Sequence, residues 1–257
     1  MVTMASNAVC EKCGGTGFMI VEGAHVSGAT PCACRFEGIA GRREGAAQIP
    51  PLYRAASFEN FTLTSDNPLA ARDLRATLLA AKRFADDFPQ EGRPGLLLIG
   101  EPGTGKTHLA VAALRRIMDK GFDGLFCDYQ NLLDRIRAGY DAASNSSDRE
   151  AYRVALDAEV LLLDDLGAHR VTDWVEDTIT SIITYRCNNR KPLIATTNLP
   201  DADVGSAVYE KTAVGTQYRT TLGERIGSRA RSRLFEMCTL IRMPLVEDYR
   251  VRRQRIF

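Results

Sequence analysis

No apolar run in the chain approaches the roughly 18–20 residues that a membrane-spanning helix needs, and the N-terminus lacks the basic segment and short hydrophobic core of a secretory signal. These two absences exclude an integral helical membrane protein and predict a cytoplasmic location. There is no excess of either charge, since 33 basic residues stand against 32 acidic ones. Bulk electrostatics therefore does not announce a nucleic-acid binder, and local patches must carry any such contact. Seven cysteines make an odd number, and a reducing cytosol disfavours disulfides, so a disulfide scaffold is excluded as well. What remains is a globular chain of 257 residues, 45% apolar and 25% charged, enough for one main core and a small appendage.

What the chain does contain is a phosphate cradle. The apolar run Leu96-Leu97-Leu98-Ile99 reads as a buried strand, and Gly100-Glu101-Pro102-Gly103-Thr104-Gly105-Lys106-Thr107 follows it directly, with His108 next and a helix from Thr107 to Met118. Such a turn points several backbone N–H groups inward, and the helix brings its positive dipole end to the same spot. Lys106 adds a mobile charge for the outer phosphates, and the Thr107 hydroxyl is a hard oxygen suited to Mg²⁺. ATP or GTP is the first ligand implied. The alternative, a glycine turn that merely spells the pattern, is weakened by the strand before it and the helix after it.

Asp66-Asn67-Pro68 signals the start of a helix from Leu69 to Phe88. Downstream, strands at Gly124–Cys127, Val160–Leu163 and Pro192–Thr197 alternate with helices at Tyr129–Arg137 and Trp174–Asn188. This alternation predicts an α/β fold with a parallel sheet flanked by helices, binding ligands at the carboxyl ends of its strands. The segments Ala138–Arg149 and Asp201–Thr221 lack strong periodicity and are expected to be mobile. The terminal stretch Tyr249–Phe257 carries Arg250, Arg252, Arg253 and Arg255, as a solvated basic tail does.

Val160-Leu161-Leu162-Leu163-Asp164-Asp165 ends a buried strand in two carboxylates. In a parallel sheet they reach the same edge as the phosphate loop, Asp164 toward Mg²⁺ and Asp165 toward the attacking water; a simple cap on the turn Leu166-Gly167 is the alternative. Thr196-Thr197-Asn198 ends the next strand, where the neutral Asn198 amide can bond both a phosphate oxygen and the water. Arg225, Arg229 and Arg233 recur every four residues, so one helix over Gly223–Leu234 would align three guanidinium groups on one face. Like charges at that spacing call for an anion, such as the phosphate of this subunit's nucleotide or a neighbour's; a solvated basic face is the other reading. Arg135 and Arg137, with Tyr129 as a stacking surface, offer contacts for single-stranded DNA, or else that helix is only an amphipathic packing element.

At the N-terminus Cys10 and Cys13 form one close pair, and Cys32 and Cys34 another. Four thiolates in two pairs suit tetrahedral Zn²⁺. Gly14-Gly15-Thr16-Gly17 supplies a tight knuckle, Phe18–Val21 a short strand, and the stretch to Thr30 a returning hairpin. His25 could substitute for a ligand, and free thiols in a tail remain the alternative. Residues from about 36 to 50, ending in Pro50-Pro51, read as a linker.

From Tyr53 to Tyr249 these motifs resemble the AAA+ ATPases of the DnaC/IstB group, replicative helicase loaders and transposition helpers. The resemblance rests on Gly-Glu-Pro-Gly-Thr-Gly-Lys-Thr-His, Leu-Leu-Leu-Asp-Asp-Leu-Gly, Thr-Thr-Asn-Leu, Glu-Arg-Ile and Ser-Arg-Leu-Phe-Glu-Met-Cys. It implies a P-loop NTPase core without a helical lid at 66–257, an aromatic lead-in and linker at 41–65, and a zinc-ribbon-like module at 1–40. It further implies an ATPase with Mg²⁺ and Zn²⁺ as cofactors and Arg233, then Arg229, as the arginine finger before the last strand, Cys238–Arg242. Its implied partners are a replicative helicase or transposase, single-stranded DNA, and other copies of itself in a homo-oligomer. Only 24 residues follow Arg233, which matches DnaC-type members and removes the usual lid arginine. Asp201–Thr221 is longer than the family's usual link.

Overall fold

The computed structural model describes residues 10–14, 16, 18–22, 27–32, 43–63, 67–139, 146–212 and 215–254. The chain divides into two compact units, residues 1–46 and 47–257. In the first, β1 (Phe18–Glu22) pairs antiparallel with β2 (Ser27–Pro31), the hairpin expected there. No helix among the described residues is long and apolar enough to cross a membrane.

The second unit is built on a parallel sheet of β3 (Gly95–Ile99), β4 (Gly124–Asp128), β5 (Val160–Asp164), β6 (Leu193–Thr197) and β9 (Cys238–Arg242), in the order β4-β5-β6-β3-β9. Leu96, Leu97, Leu98 and Ile99 are buried on both faces of β3, as a continuous apolar run in a covered parallel strand requires. Leu96 and Leu98 pack with α1 (Pro68–Asp86) and α2 (Lys106–Asp119). Leu97 and Ile99 face the opposite layer of α3 (Tyr129–Ala138), α4 (Ser146–Asp157), α5 (Asp173–Asn188), α6 (Leu222–Ile226) and α7 (Ser228–Met237). Burial of each such side chain stabilises the fold by about 1.5–3 kcal/mol. Because β6 lies between β3 and β5, the ends of three strands converge on one edge.

The helix starts follow from their caps. Asn67 accepts from the N–H groups of Leu69 and Ala70 at 3.0 and 3.3 Å, and Pro68 occupies the first helical position, where a missing N–H costs nothing. The lead-in is part of the core: Ala47, Ile49, Ala56 and Phe58 are buried, and the Phe126 N–H donates to the Ala47 carbonyl at 2.8 Å. The linker reading of residues 36–50 therefore does not extend to Ala47 and Ile49, and residues 36–42 lie outside those described.

Both segments expected to be mobile hold structure. Helix α4 begins at Ser146, with residues 140–145 outside those described. Asp201–Thr221 contains a short 3₁₀ turn (Ala202–Val204) and an antiparallel hairpin, β7 (Tyr209–Thr212) with β8 (Gly215–Tyr218). Strict alternation is absent here because a two-stranded ribbon outside the core has no buried face to encode.

Arg186 on α5 is fully buried. It donates to the carbonyls of Ala155, Leu156, Ala158, Glu159 and Pro192, closing the end of α4 onto the start of β6. Burial lowers its pKa to about 10, still far above neutrality, so it acts as a fixed cation. Arg186→Ala is expected to destabilise the protein by about 3–5 kcal/mol, since it orphans buried carbonyls and leaves a cavity. A lower urea midpoint at unchanged slope is the readout.

Candidate functional site

The loop after β3 owes its shape to two glycines. Gly103 and Gly105 have φ of 72° and 94°, a region costly for any residue with a Cβ. A Cβ on Gly105 would also lie 2.5 Å from the Phe61 ring, so the lead-in aromatic packs directly on the loop. Gly105 caps α2 without a side-chain bond, leaving first-turn N–H groups for an anion. The Glu101 carbonyl accepts from Thr104 Oγ1 at 2.8 Å and from Lys106 Nζ at 2.9 Å. Burial depresses the Lys106 pKa, opposed by the negative charges of Asp165, Asp164 and Glu101. An ammonium held at such cost gains most from an anionic ligand.

Across the edge, Asp164 Oδ1 accepts from Thr107 Oγ1 at 3.0 Å and from Thr196 Oγ1 at 2.6 Å. Its pKa is raised, chiefly by burial, with the two hydroxyl bonds pulling the other way. Asp165 has a left-handed φ of 55° and its N–H donates to Thr196 Oγ1 at 3.0 Å. The chain turns sharply there, and Asp165 lines the cleft while the next residue, Leu166, is buried. Thr197 Oγ1 donates to the Leu166 carbonyl at 2.8 Å, locking the ends of β5 and β6 together. Asn198 lies just beyond, at the cleft. Thr107 and Asp164 thus present hard oxygens side by side, a donor set that fits Mg²⁺.

These groups border a cleft of about 730 Å³. Pro102 to His108, Asp164, Asp165 and Asn198 line it, while Gly100 and Glu101, expected with them, do not. Its remaining wall holds Tyr53, Phe61, Leu74 and the chain beyond β9, including Val246, Tyr249 and Arg250. His108 is fixed by a 2.8 Å bond between Nε2 and the Ser57 carbonyl and by edge contact with Phe61. Arg250 is the residue that sequence reading missed. The Met243 N–H bonds the Ile99 carbonyl at 2.7 Å and the Tyr249 N–H bonds the Gly103 carbonyl at 3.2 Å. These two bonds lay the strap from 243 to 249 across the loop and deliver Arg250, near the start of α8 (Tyr249–Gln254), to the cleft. One arginine among four in a basic tail carries no local signal for this; the long-range bonds decide it.

The three arginines do not share one helix. Gly227, with φ of 82°, separates α6 from α7, and Glu176 packs where a Cβ would stand, 2.4 Å away. Arg225 is therefore turned inward, its Nη1 on the His169 carbonyl at 3.4 Å. Arg229 and Arg233 remain exposed on α7 and line a separate groove of about 800 Å³ with Asp177, Thr180, Ser181, Thr184, Ser228 and Ser232. Arg233 Nη1 meets Glu236 at 2.7 Å. Tyr129 is likewise no stacking surface. It is fully buried and its pKa is pushed far up by that burial, because the first residue of α3 points into the core. Arg135 and Arg137 stay exposed, Arg137 lying over the Trp174 ring at 4.7 Å.

In the first unit, the ligand atoms of Cys10, Cys13 and Cys32 lie within 4.8 Å of one another, with Sγ of Cys10 and Cys32 3.9 Å apart. A zinc–sulfur bond of about 2.3 Å in a tetrahedron implies sulfurs about 3.8 Å apart, so this trio fits the ion. Cys34 and His25 lie outside the described residues.

A parallel sheet with a glycine-rich loop, a helix starting at lysine and a strand-end carboxylate bonded to the loop threonine defines a P-loop NTPase. Residues 43–216 match the family model described as IstB-like ATP binding protein, and the chain belongs to this IstB/DnaC-like AAA+ family. It is 28% identical over 229 residues to the phage-like element PBSX protein XkdC of Bacillus subtilis, covering 80% of each chain. It is 25% identical over 167 residues to the replicative helicase loader DnaC of Buchnera aphidicola subsp. Schizaphis graminum, covering 65% of each, just under two thirds of that protein. A crystal structure of the DnaC helicase loader superposes with a TM-score of 0.59 at 33% identity, over 76% of this chain and all of that one.

Proposed function

We propose that the protein is an ATP-hydrolysing helicase loader of the DnaC type. The observation that carries this reading is the Thr107–Asp164 bond at the mouth of a cleft that also holds Lys106, Asp165 and Asn198. Lys106, the free N–H groups of the first turn of α2 and Arg250 bind the triphosphate. Thr107 and Asp164 hold Mg²⁺, which neutralises charge on the outer phosphates when bound. Asp165 orients the attacking water and takes its proton, and Asn198 hydrogen-bonds water and phosphate without adding charge. Arg233, with Arg229 beside it, lies outside this cleft and acts on the nucleotide of a neighbouring copy, so hydrolysis needs a homo-oligomer.

Single-stranded DNA is bound through Arg135 and Arg137, whose exposed guanidiniums suit phosphates. The cysteine module, closed by Cys34 as fourth ligand to Zn²⁺, is the helicase-binding part. Purified protein is expected to hold one zinc per chain, and Cys32→Ser to lose it, measured by elemental analysis. A purified replicative helicase hexamer is expected to bind the full chain and not a variant lacking residues 1–45; equal binding by both would reject the module's role. The family model favours a second reading, a transposition helper of the IstB kind, for which a transposase replaces the helicase in the same assay.

A further inference from the structure

The insertion between β6 and α6 is fastened at both roots. At its entry Asp201, only 3% exposed, accepts from Arg231 Nε and Nη2 on α7, each at 2.6 Å. Arg231 also reaches Asp203 and lies over the Phe235 ring at 4.3 Å. At its exit Arg219, the residue after β8, sets Nη1 and Nη2 against Oε1 and Oε2 of Glu101 at 2.6 and 3.1 Å. Glu101 is the second residue of the phosphate loop, and its carbonyl holds Thr104 and Lys106. Between the roots, Tyr218 Oη donates to Glu224 at 3.0 Å, and Glu224 completes the capping box that starts α6 with Thr221.

A fork-to-fork pair constrains orientation as well as distance, because both side chains are planar. Glu101 is therefore held from two sides, by its carboxylate from the insertion and by its carbonyl from the loop. A loop that served only to connect β6 to α6 would need neither grip. One root seizes the arginine helix and the other seizes the phosphate loop.

We infer that the β7–β8 insertion braces the phosphate loop against the arginine helix and that Arg219 is a positioning residue for nucleotide. By fixing Glu101 it keeps the Glu101 carbonyl where Thr104 and Lys106 need it. This inference rests on reading the cleft as an ATP site.

Arg219→Ala, Arg219→Lys, Glu101→Arg, and the exchanged pair Glu101→Arg with Arg219→Glu are compared in the full chain. Arg219→Ala is expected to raise the KM for ATP about tenfold, with Arg219→Lys only partly restoring it because the fork is lost. The exchanged pair should return KM to within about threefold of wild type. Without nucleotide, Arg219→Ala should speed amide exchange in residues 100–107 as well as in 209–218. Faster exchange confined to 209–218, or an exchanged pair no better than Glu101→Arg alone, would overturn the brace. Wild-type protein that fails to bind ATP sinks the ATP reading instead, and the exchange result then decides the brace alone.

Discussion

Lys106→Ala is expected to weaken ATP binding by at least roughly 100-fold, about 2.7 kcal/mol, and to remove hydrolysis. The lysine is only 6% exposed, and its ammonium is carried at a desolvation cost that lowers its pKa. Asp165, Asp164 and Glu101 offset part of that cost. A triphosphate supplies far more negative charge at the same place, so binding energy is concentrated on this group. The substitution should leave thermal stability unchanged or slightly raised, because a strained charge is removed rather than a packed core group. Isothermal titration with ATP and a melting curve on the same sample check both halves. A collapsed melting temperature would assign Lys106 to the fold instead of the ligand.

Arg233→Ala should do the opposite to binding and the same to turnover. ATP affinity is expected to stay within about threefold of wild type, while kcat falls by about 10³-fold, the scale on which an arginine supplied in trans acts. The geometry behind this is the separation of the two sites. Arg229 and Arg233 line the groove with Asp177, Ser181 and Ser232, and that groove shares no residue with the nucleotide cleft. Arg229 and Arg233 are exposed on α7, and Glu236 holds the Arg233 guanidinium at 2.7 Å. Fluorescent-nucleotide binding and steady-state phosphate release separate the two effects. Loss of ATP affinity itself would place Arg233 in its own subunit's cleft.

Much of this arrangement is legible in the chain because it is local. A strand run, two glycines at fixed spacing and a lysine opening a helix specify the cradle without reference to distant residues. Asp164 and Asp165 at the end of β5 and Asn198 just after β6 are legible for a second reason: parallel connections bring every strand's carboxyl end to one edge. The arginine helix misleads for the reason that makes Gly227 special. A four-residue arginine period persists across a glycine whose left-handed backbone and Glu176 contact break the helix between Arg225 and Arg229. Tyr129 misleads because an aromatic at a helix start belongs equally to a core or a surface, and only the packing of α3 against the sheet decides it. Arg250 and Arg219 are invisible for a third reason. Each is tied to the phosphate loop across a long stretch of chain, through Tyr249 to Gly103 and directly to Glu101, and neither pairing leaves a periodic trace.

The Thr107–Asp164 pair, proposed above to hold Mg²⁺, follows the same division. The Thr107–Asp164 bond joins residues 57 positions apart, yet both belong to recognisable local patterns, so their meeting is foreseeable. The Thr196 hydroxyl that completes the Asp164 environment at 2.6 Å is foreseeable only once β6 is known to lie between β3 and β5.

The proposed function requires that this cleft hydrolyse ATP in an assembled protein. Phosphate release by the purified full chain with Mg²⁺, ATP and single-stranded DNA tests it most directly, run beside Arg233→Ala and Lys106→Ala alone and as an equimolar mixture. Wild type is expected to turn over, neither variant alone to do so, and the mixture to recover partly, since one variant supplies the cleft and the other the arginine. No turnover by wild type under any of these conditions would contradict it.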